Sequence, residues 1–447
     1  MGERNRIRPR LAALGVALLA LASAVYPLAA AGSMGYWYDE LWSVDAALGS
    51  LPRMLRLLAA DVHPPLYHAA LWLWVRVFGT GEVATRALSI LALVAAVPFT
   101  YLLGRRLGLG RAATLGAAGA VGLCYAGASF ALETRPYTFL LASCTAAAWL
   151  LVRASDRRGY GLAWGMGVAA VAVHYAALFT LLPLAVLFAY RDRDARKLYV
   201  AAGWLLALLP FMLILHDQAA LFATYTWLTP PGWADADHVV DQLVGDVHGG
   251  AYATALLGLA LALAARRKEL RSRLWLAIVP CVLAAVAAVS YALQPIFHIR
   301  YVFALAPWLY LAAAYVADRL PHPALRGAAA ALLIAATAYV TSQASLTKAE
   351  DWGAAAGYVR SHRQGELLVT TSAARWFSVY FPGIEVLDEN DPAAAAAWVA
   401  RNAGRSLWLL QARDYHATPV RRVLAEASEI MRVEEFAGSR AVLLRLR

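Results

Sequence analysis

Two adjacent carboxylates, Asp39 and Glu40, follow the apolar run 11–31 in the segment GYWYDELWSVD, among Tyr36, Trp37, Tyr38 and Trp42. Aromatic residues at the end of such a run are ordinary interfacial anchors. Paired carboxylates there are less ordinary, because each loses hydration at the hydrocarbon edge and needs a charge partner or a chemical task. Their spacing alone fits either a functional acid pair or a solvated interfacial one. Further on, DVHPPLYH places Asp61 and His63 ahead of Pro64 and Pro65, and Leu66 opens a helical stretch. The prolines aim His63 at a helix amino terminus, which favours an anion such as phosphate, although a plain helix start would use the same residues. Three more polar interruptions follow: Glu133, Arg135 and Tyr137 in ETRPY, then His174 with Tyr175, then Arg300 with Tyr301. A lone arginine can snorkel. Two arginines and two histidines returning with several carboxylates to one membrane face instead mark a polar cavity suited to an anionic amphiphile.

Composition identifies the scaffold that must position them. Of 447 residues, 61% are apolar and 15% charged, against roughly 45–50% and 25% in soluble domains, so a bilayer is part of the solvent. Apolar runs recur at 11–31, 83–104, 112–131, 138–152, 160–190, 198–215, 251–265, 274–293, 301–317 and 327–343. Most are near the length that crosses about 30 Å of hydrocarbon as helix. The net charge of +11 is spread among loops and forms no single patch, which argues against nucleic acid as a partner. Basic clusters at Arg4–Arg10, Arg105–Arg111, Arg153–Arg158, Arg191–Lys197, Arg266–Arg273 and Arg319–Arg326 hold more than half of the 40 lysines and arginines. Placing all six on the cytoplasmic side satisfies the positive-inside rule.

That parity predicts about eleven membrane-spanning helices. Pro64–Phe78 is too short to span and carries His68 and Arg76, so it reads as a helix lying in the outer interface. The run 160–190 must cross twice, turning near His174 and Tyr175, in spans of about 22 Å each. Residues 1–31 are similar to a secretory signal but read as an uncleaved anchor, since many spans follow. Cys124, Cys144 and Cys281 fall inside apolar runs as small packing groups, without a disulfide framework or zinc spacing. Past Ser345 the composition becomes that of a soluble domain. Helical patterns at 351–360, 392–401 and 418–427 alternate there with strand patterns at 366–371, 406–411, 431–436 and 441–446. The expected architecture is an all-α polytopic membrane domain over 1–345, with in-plane helices in a catalytic outer loop 32–82. A small extracytoplasmic α/β domain over 346–447 follows. It lacks a Gly-rich phosphate loop and suits a structural or acceptor-docking role.

YDELWSVD, DVHPPLYH followed by TRALS, ETRPY, the HY and RY pairs, and the tail's EDWGAAAGYV together resemble the C-type membrane glycosyltransferases. The resemblance is to the branch containing protein O-mannosyltransferases, lipid A aminoarabinose transferases and lipopolysaccharide-core galacturonosyltransferases, and it covers about residues 11–360. The DE pair combined with HPPL is its most specific part. It implies sugar transfer from a polyprenyl-phosphate carrier at the outer face of the cytoplasmic membrane, with Asp39 as the catalytic carboxylate and Glu40 beside it. Lipid-phosphate or sugar contacts then fall to Asp61, His63, Glu133, Arg135, Tyr137, His174, Tyr175, Arg300 and Tyr301. His63 stands where the mannosyltransferases also have His and the aminoarabinose transferases have Lys.

The chemistry agrees with the residues. A glycosyl phosphate already has a good leaving group, so the reaction needs cations for the departing phosphate and a base for the acceptor hydroxyl. Arg135 and Arg300 fit the first task by bidentate contact, and Asp39 the second. Direct attack with one base inverts the anomeric centre. The acceptor hydroxyl belongs to a lipid, glycan or protein. No organic cofactor is expected, and a divalent metal has a candidate place where Asp61, His63 and His174 approach one another. The alternative is a transporter or flippase of lipid-linked sugars without chemistry, which would distribute its charges through midplane helices.

Overall fold

The computed structural model describes residues 2–59, 61–211, 230–244, 249–266, 271–344, 350–412 and 418–447. The end of the predicted run 198–215, part of the basic loop 266–273 and the domain boundary after Ser345 lie outside the described residues. The chain is mostly helical. After α1 (Gly2–Ala30), residues 31–81 hold three short helices, α2 (Tyr38–Leu48), α3 (Leu51–Ala59) and α4 (Leu66–Phe78). The bundle continues with α5 (Glu82–Arg106), α6 (Arg111–Leu123), α7 (Tyr125–Ala131), α8 (Tyr137–Arg153), α9 (Arg157–Val173), α10 (Ala177–Asp192) and α11 (Arg196–Leu206). Beyond it come α12 (Trp233–Val244), α13 (Gly249–Arg266), α14 (Ile278–Ala292), α15 (Ala306–Ala317) and α16 (Pro323–Gln343), with the one-turn helix Ile299–Val302 leading into α15.

Among the described residues, five helical stretches are long and apolar enough to cross a membrane alone: Arg10–Ala30, Glu82–Arg106, Arg271–Ala292, Ile299–Ala317 and Pro323–Gln343. The run expected as one helix over 112–131 is bent by 44° at Cys124, so α6 and α7 make a broken sixth. Cys124 is extended there, and its Sγ accepts from the Gly127 amide at 3.3 Å, capping α7. The run 160–190 is divided as charge parity required, with α9 and α10 of 17 and 16 residues meeting at the His174 turn. A count of about eleven crossings therefore draws on short helices such as α8, α9 and α10.

Close helix contacts are made by bare backbone. The Trp204 indole of α11 fills the space over Gly167 of α9, while Trp164 lies over Gly203 in return. Trp204 Nε1 donates to the Trp164 carbonyl at 3.1 Å, so its buried donor is satisfied.

The tail folds as α17 (Trp352–His362), β1 (Leu367–Thr371), β2 (Glu385–Leu387), α18 (Pro392–Arg401), β3 (Ser406–Ala412), α19 (Pro419–Glu426), β4 (Ser428–Phe436) and β5 (Ser439–Leu446). Its helices start where the sequence signals them. Asp351, Asp391 and Thr418 cap their first amides, with proline next to the last two. The sheet order is β2-β1-β3-β5-β4, with β1 parallel to β2 and β3, and β5 antiparallel to β3 and β4. Strand β2 and the helical turns Ser372–Val379 carry no periodicity strong enough to have been expected. Alternation along β3 divides the core. Leu407 and Leu409 pack with α18 and α19, whereas Trp408, Leu410 and Ala412 pack with α17 and with Tyr36, Leu41 and Val44 of the first loop. One face of the sheet is thus completed by the membrane domain.

The α9–α11 contact gives a stability test. Gly167→Val drives a side chain into the Trp204 indole and is expected to cost about 1–3 kcal/mol, the usual range for overpacking. Gly165→Ala, which has nothing within 4 Å of the new Cβ, should unfold like the wild type. Thermal unfolding in one detergent compares the two, and a Gly167→Val protein as stable as the wild type would mean that the Trp204 indole does not crowd that position.

Candidate active site

Arg86, in the first turns of α5, has no exposed surface, and neither has Glu40. A guanidinium has five N–H donors, and all five find acceptors here. Nε and Nη2 donate to the two Glu40 oxygens at 3.0 Å each. Nη1 donates to the Ala31 and Met34 carbonyls, and Nη2 also to the Gly35 carbonyl at 2.9 Å. Glu40 in turn accepts from the Thr134 amide at 2.9 Å. The pair therefore ties the end of α1, the start of α2 and the segment before α8 to α5. Glu40 was expected to share catalysis with Asp39; its geometry suits positioning instead, because both oxygens are occupied and no surface faces the cavity.

Asp39 precedes Glu40, and one helical residue is about 100° of rotation. Its side chain is 24% exposed, with Oδ2 3.5 Å from Arg300 Nη1 and 4.0 Å from Arg135 Nη2. Arg135 is itself buried. Its Nη1 donates to Ser43 Oγ at 3.1 Å and to the Asp39 carbonyl at 3.3 Å, while Ser43 Oγ donates to that carbonyl at 2.9 Å. Arg135 Nη2 lies 3.0 Å from His63 Nε2. Arginine only donates, so this Nε2 accepts, and the His63 proton sits on Nδ1, 2.7 Å from Asp61 Oδ2. Burial works to raise the Asp61 pKa, but the His63 imidazole and the Arg135 charge outweigh it and hold the carboxyl at about 2. Pro65 precedes Leu66 as the α4 cap, and this fixes the direction of His63.

Arg300 lies over the Trp37 ring at 4.9 Å and the Tyr137 ring at 5.7 Å. His174, at the α9–α10 turn, has its ring 5.6 Å from that of His63, 6.0 Å from Tyr137 and 5.8 Å from Tyr301. Its Nδ1 accepts from the Ala176 amide at 3.1 Å. Asp39, Asp61, His63, Arg135, Tyr137, His174, Arg300 and Tyr301 thus converge. Glu133 flanks them, its carbonyl accepting from Ser89 Oγ at 2.7 Å and its charge acting on Arg300. Tyr175 instead faces an apolar groove of about 680 Å³ between α10 and α14, lined by Leu178, Leu182, Val186, Cys281 and Ala285 among others. Among the described residues, no three His, Cys, Asp or Glu side chains are placed to share a metal ion. Asp61, His63 and His174 do not converge as a ligand set.

Arg86, Ser43 and Thr134 were not among the expected residues, nor was His68. His68 is buried edge-on to Trp42 and Tyr67, and burial, helped by His63 and Arg135, keeps its pKa well below the usual histidine range. Arg86 had a signal, since an arginine in TRALS beside an apolar run requires a partner.

The buried pair predicts an asymmetry. Glu40→Gln leaves Arg86 charged without its counter-ion and should destabilise the protein by about 3–5 kcal/mol, whereas joint replacement of both residues by apolar ones of similar volume should cost much less. Chemical denaturation of the single and double variants makes the comparison, and a Glu40→Gln protein as stable as wild type would mean that water screens Arg86.

Residues 62–216 match the Dolichyl-phosphate-mannose-protein mannosyltransferase family. No curated protein sequence matches the chain. ArnT from Cupriavidus metallidurans in the apo state superposes with a TM-score of 0.62 at 13% identity, covering 95% of this chain and 97% of that one. The same protein bound to undecaprenyl phosphate gives 0.58 at 13% identity over the same shares. The archaeal oligosaccharyltransferase AglB from Archaeoglobus fulgidus, in complex with an inhibitory peptide and a dolichol-phosphate, gives 0.56 at 11% identity, covering 90% of this chain and 69% of that one. The fold of this chain is that of the C-type integral membrane glycosyltransferases.

Proposed function

We propose that the protein transfers a sugar from a polyprenyl-phosphate donor to an acceptor hydroxyl on a lipid, glycan or protein, at the extracytoplasmic face of the cytoplasmic membrane. The observation that carries this reading is a partly open carboxylate, Asp39, facing two guanidiniums, Arg300 at 3.5 Å and Arg135 at 4.0 Å, in a pocket of aromatic rings. A lipid phosphate entering this pocket would take the guanidinium contacts that Asp39 holds, leaving the carboxylate free beside the anomeric carbon. The acceptor oxygen then attacks C1 and its proton passes to Asp39. The C1–O bond breaks with its electron pair on the phosphate oxygen, where the arginines stabilise it. Attack from the side opposite the phosphate inverts C1. The groove below Tyr175 suits the prenyl chain, because Leu178, Leu182 and Val186 recur at helical spacing along α10, next to Tyr175 in the turn before it. Similarity to ArnT and AglB, solved with undecaprenyl phosphate and a dolichol-phosphate, supports the same donor class.

Asp39→Asn should lower turnover roughly 10²–10⁴-fold, the usual value of general-base help, without loss of lipid-donor affinity. Arg135→Lys and Arg300→Lys should also lose most activity although charge is kept, since an ammonium does not reproduce bidentate contact. Purified variants assayed with labelled polyprenyl-phosphate sugars decide this. Normal transfer by Asp39→Asn would remove Asp39 from the mechanism, whereas absence of any transfer by the wild type would favour the transporter reading.

Sidedness has its own test. In a cysteine-free variant, Ser50→Cys and Arg401→Cys should react with an impermeant reagent from outside, and Arg193→Cys only after the cytoplasmic membrane is broken. Labelling of Arg193→Cys in intact cells would overturn the orientation.

A further inference from the structure

Helix α2 begins one residue before Asp39, so the position of Asp39 depends on what holds the first turn. The N-cap residue is Trp37, whose indole offers no oxygen of the kind that Ser, Thr, Asp or Asn uses to receive the first amides. The acceptors come from elsewhere. Of the four amides from Gly35 to Tyr38, three donate to residues of the carboxyl-terminal region: Gly35 to Asp351 Oδ1 at 3.1 Å, Tyr36 to the Tyr380 hydroxyl at 2.7 Å, and Tyr38 to Glu350 Oε2 at 3.2 Å. The fourth, Trp37, faces Glu40 Oε2 at 3.4 Å. Asp351 Oδ1 simultaneously caps α17 through the Ala354 amide at 2.8 Å. Glu350 Oε2 also receives Trp352 Nε1 at 3.1 Å, and the Tyr36 carbonyl receives the Trp352 amide at 3.1 Å. Tyr380 donates onward to Glu82, the first residue of α5, at 3.0 Å. The seam closes on bare backbone: a Cβ on Gly35 would strike the Asp351 carboxylate and lie 2.5 Å from Gly353 Cα. Beneath it, Leu41 and Val44 of α2 share one apolar cluster with Trp352 and Phe377.

We infer that the carboxyl-terminal domain is a positioning element for the reaction, in which Glu350 caps the Asp39-bearing helix across the domain seam and Asp351, Gly353 and Tyr380 fix the segment leading into it. This rests on the role proposed for Asp39. A carboxylate at the first amides of a helix also favours the positive end of its dipole, so Glu350 acts on the helix start through the Tyr38 amide. Donor affinity and positioning of the attacking base are therefore separable.

The test uses the full chain in nanodiscs, with hydrogen exchange of the 35–41 and 406–412 segments measured beside turnover of undecaprenyl-phosphate mannose, aminoarabinose and galacturonate. Glu350→Ala should speed exchange of 35–41 while β3 stays protected. It should lower kcat by about ten- to a hundredfold, as small misplacements of reacting groups do, with KM for the lipid donor within about twofold. Glu350→Gln keeps an acceptor oxygen and should recover most of kcat. If Glu350→Ala also exposes β3, Gly353→Ala replaces it, since that change crowds the seam without altering the sheet, and the same pattern is expected. Wild-type kcat in the folded variant, while Asp39→Asn is inactive, overturns the positioning role alone. If Asp39→Asn is silent, the role proposed for Asp39 fails first, and unchanged exchange at 35–41 in Glu350→Ala would then sink the cap independently.

Discussion

Arg86 is charged and without any exposed surface, a state that costs several kcal/mol per ion unless every donor is answered. Glu40 answers two of its donors, and three backbone carbonyls answer the rest. Because those carbonyls belong to residues 31, 34 and 35, the chain leaving α1 cannot move without exposing a buried cation. Because Glu40 sits on the first turn of α2, that helix cannot rotate either. Asp39 inherits its position from this pair. A carboxylate in a mobile loop would sample water and neighbouring cations in turn, whereas Asp39 is held toward Arg300 and Arg135 by a neighbour that never leaves the core.

The same short segment is fixed from the other side. Residues 35, 36 and 38 offer their amides to Asp351, Tyr380 and Glu350, and the inner face of the sheet places Trp408 and Leu410 in the cluster that contains Leu41 and Val44. The membrane domain and the tail therefore share one core at the start of α2. With α18 and α19 on one face and α17 alone on the other, part of the inner apolar face would meet water, and this loop completes its cover.

Around Asp39 the polar groups form a chain, from Asp61 through His63 to Arg135 and Ser43. Its direction follows from arginine having no acceptor, which makes His63 an acceptor toward Arg135 and a donor toward Asp61. The Arg135 guanidinium, anchored by His63 Nε2 and Ser43 Oγ, is held with Nη2 toward Asp39 at 4.0 Å. Next to this cationic pocket lies the apolar groove at Tyr175. The adjacency of the two surfaces matches an amphiphile with an anionic head.

Much of this was legible in the sequence. Hydropathy and basic loops gave a polytopic helical protein, because a bilayer demands long apolar helices and penalises translocated lysines and arginines. Helical patterns at 351–360, 392–401 and 418–427 and strand patterns at 366–371, 406–411, 431–436 and 441–446 marked most of the tail's elements for equally local reasons. DE, HPPL, ETRPY, HY and RY named the residues that converge, since ionisable groups are too costly near a bilayer to be incidental. What only the tertiary structure decided is which of two adjacent acids faces the cavity. Asp39 and Glu40 are neighbours with the same chemistry, and about 100° of helical rotation sends one to the cavity and the other to Arg86, 46 residues away. No local pattern encodes that choice. It depends on a partner brought up by α5, just as the cap on α2 depends on Glu350, 312 residues beyond the amide it receives.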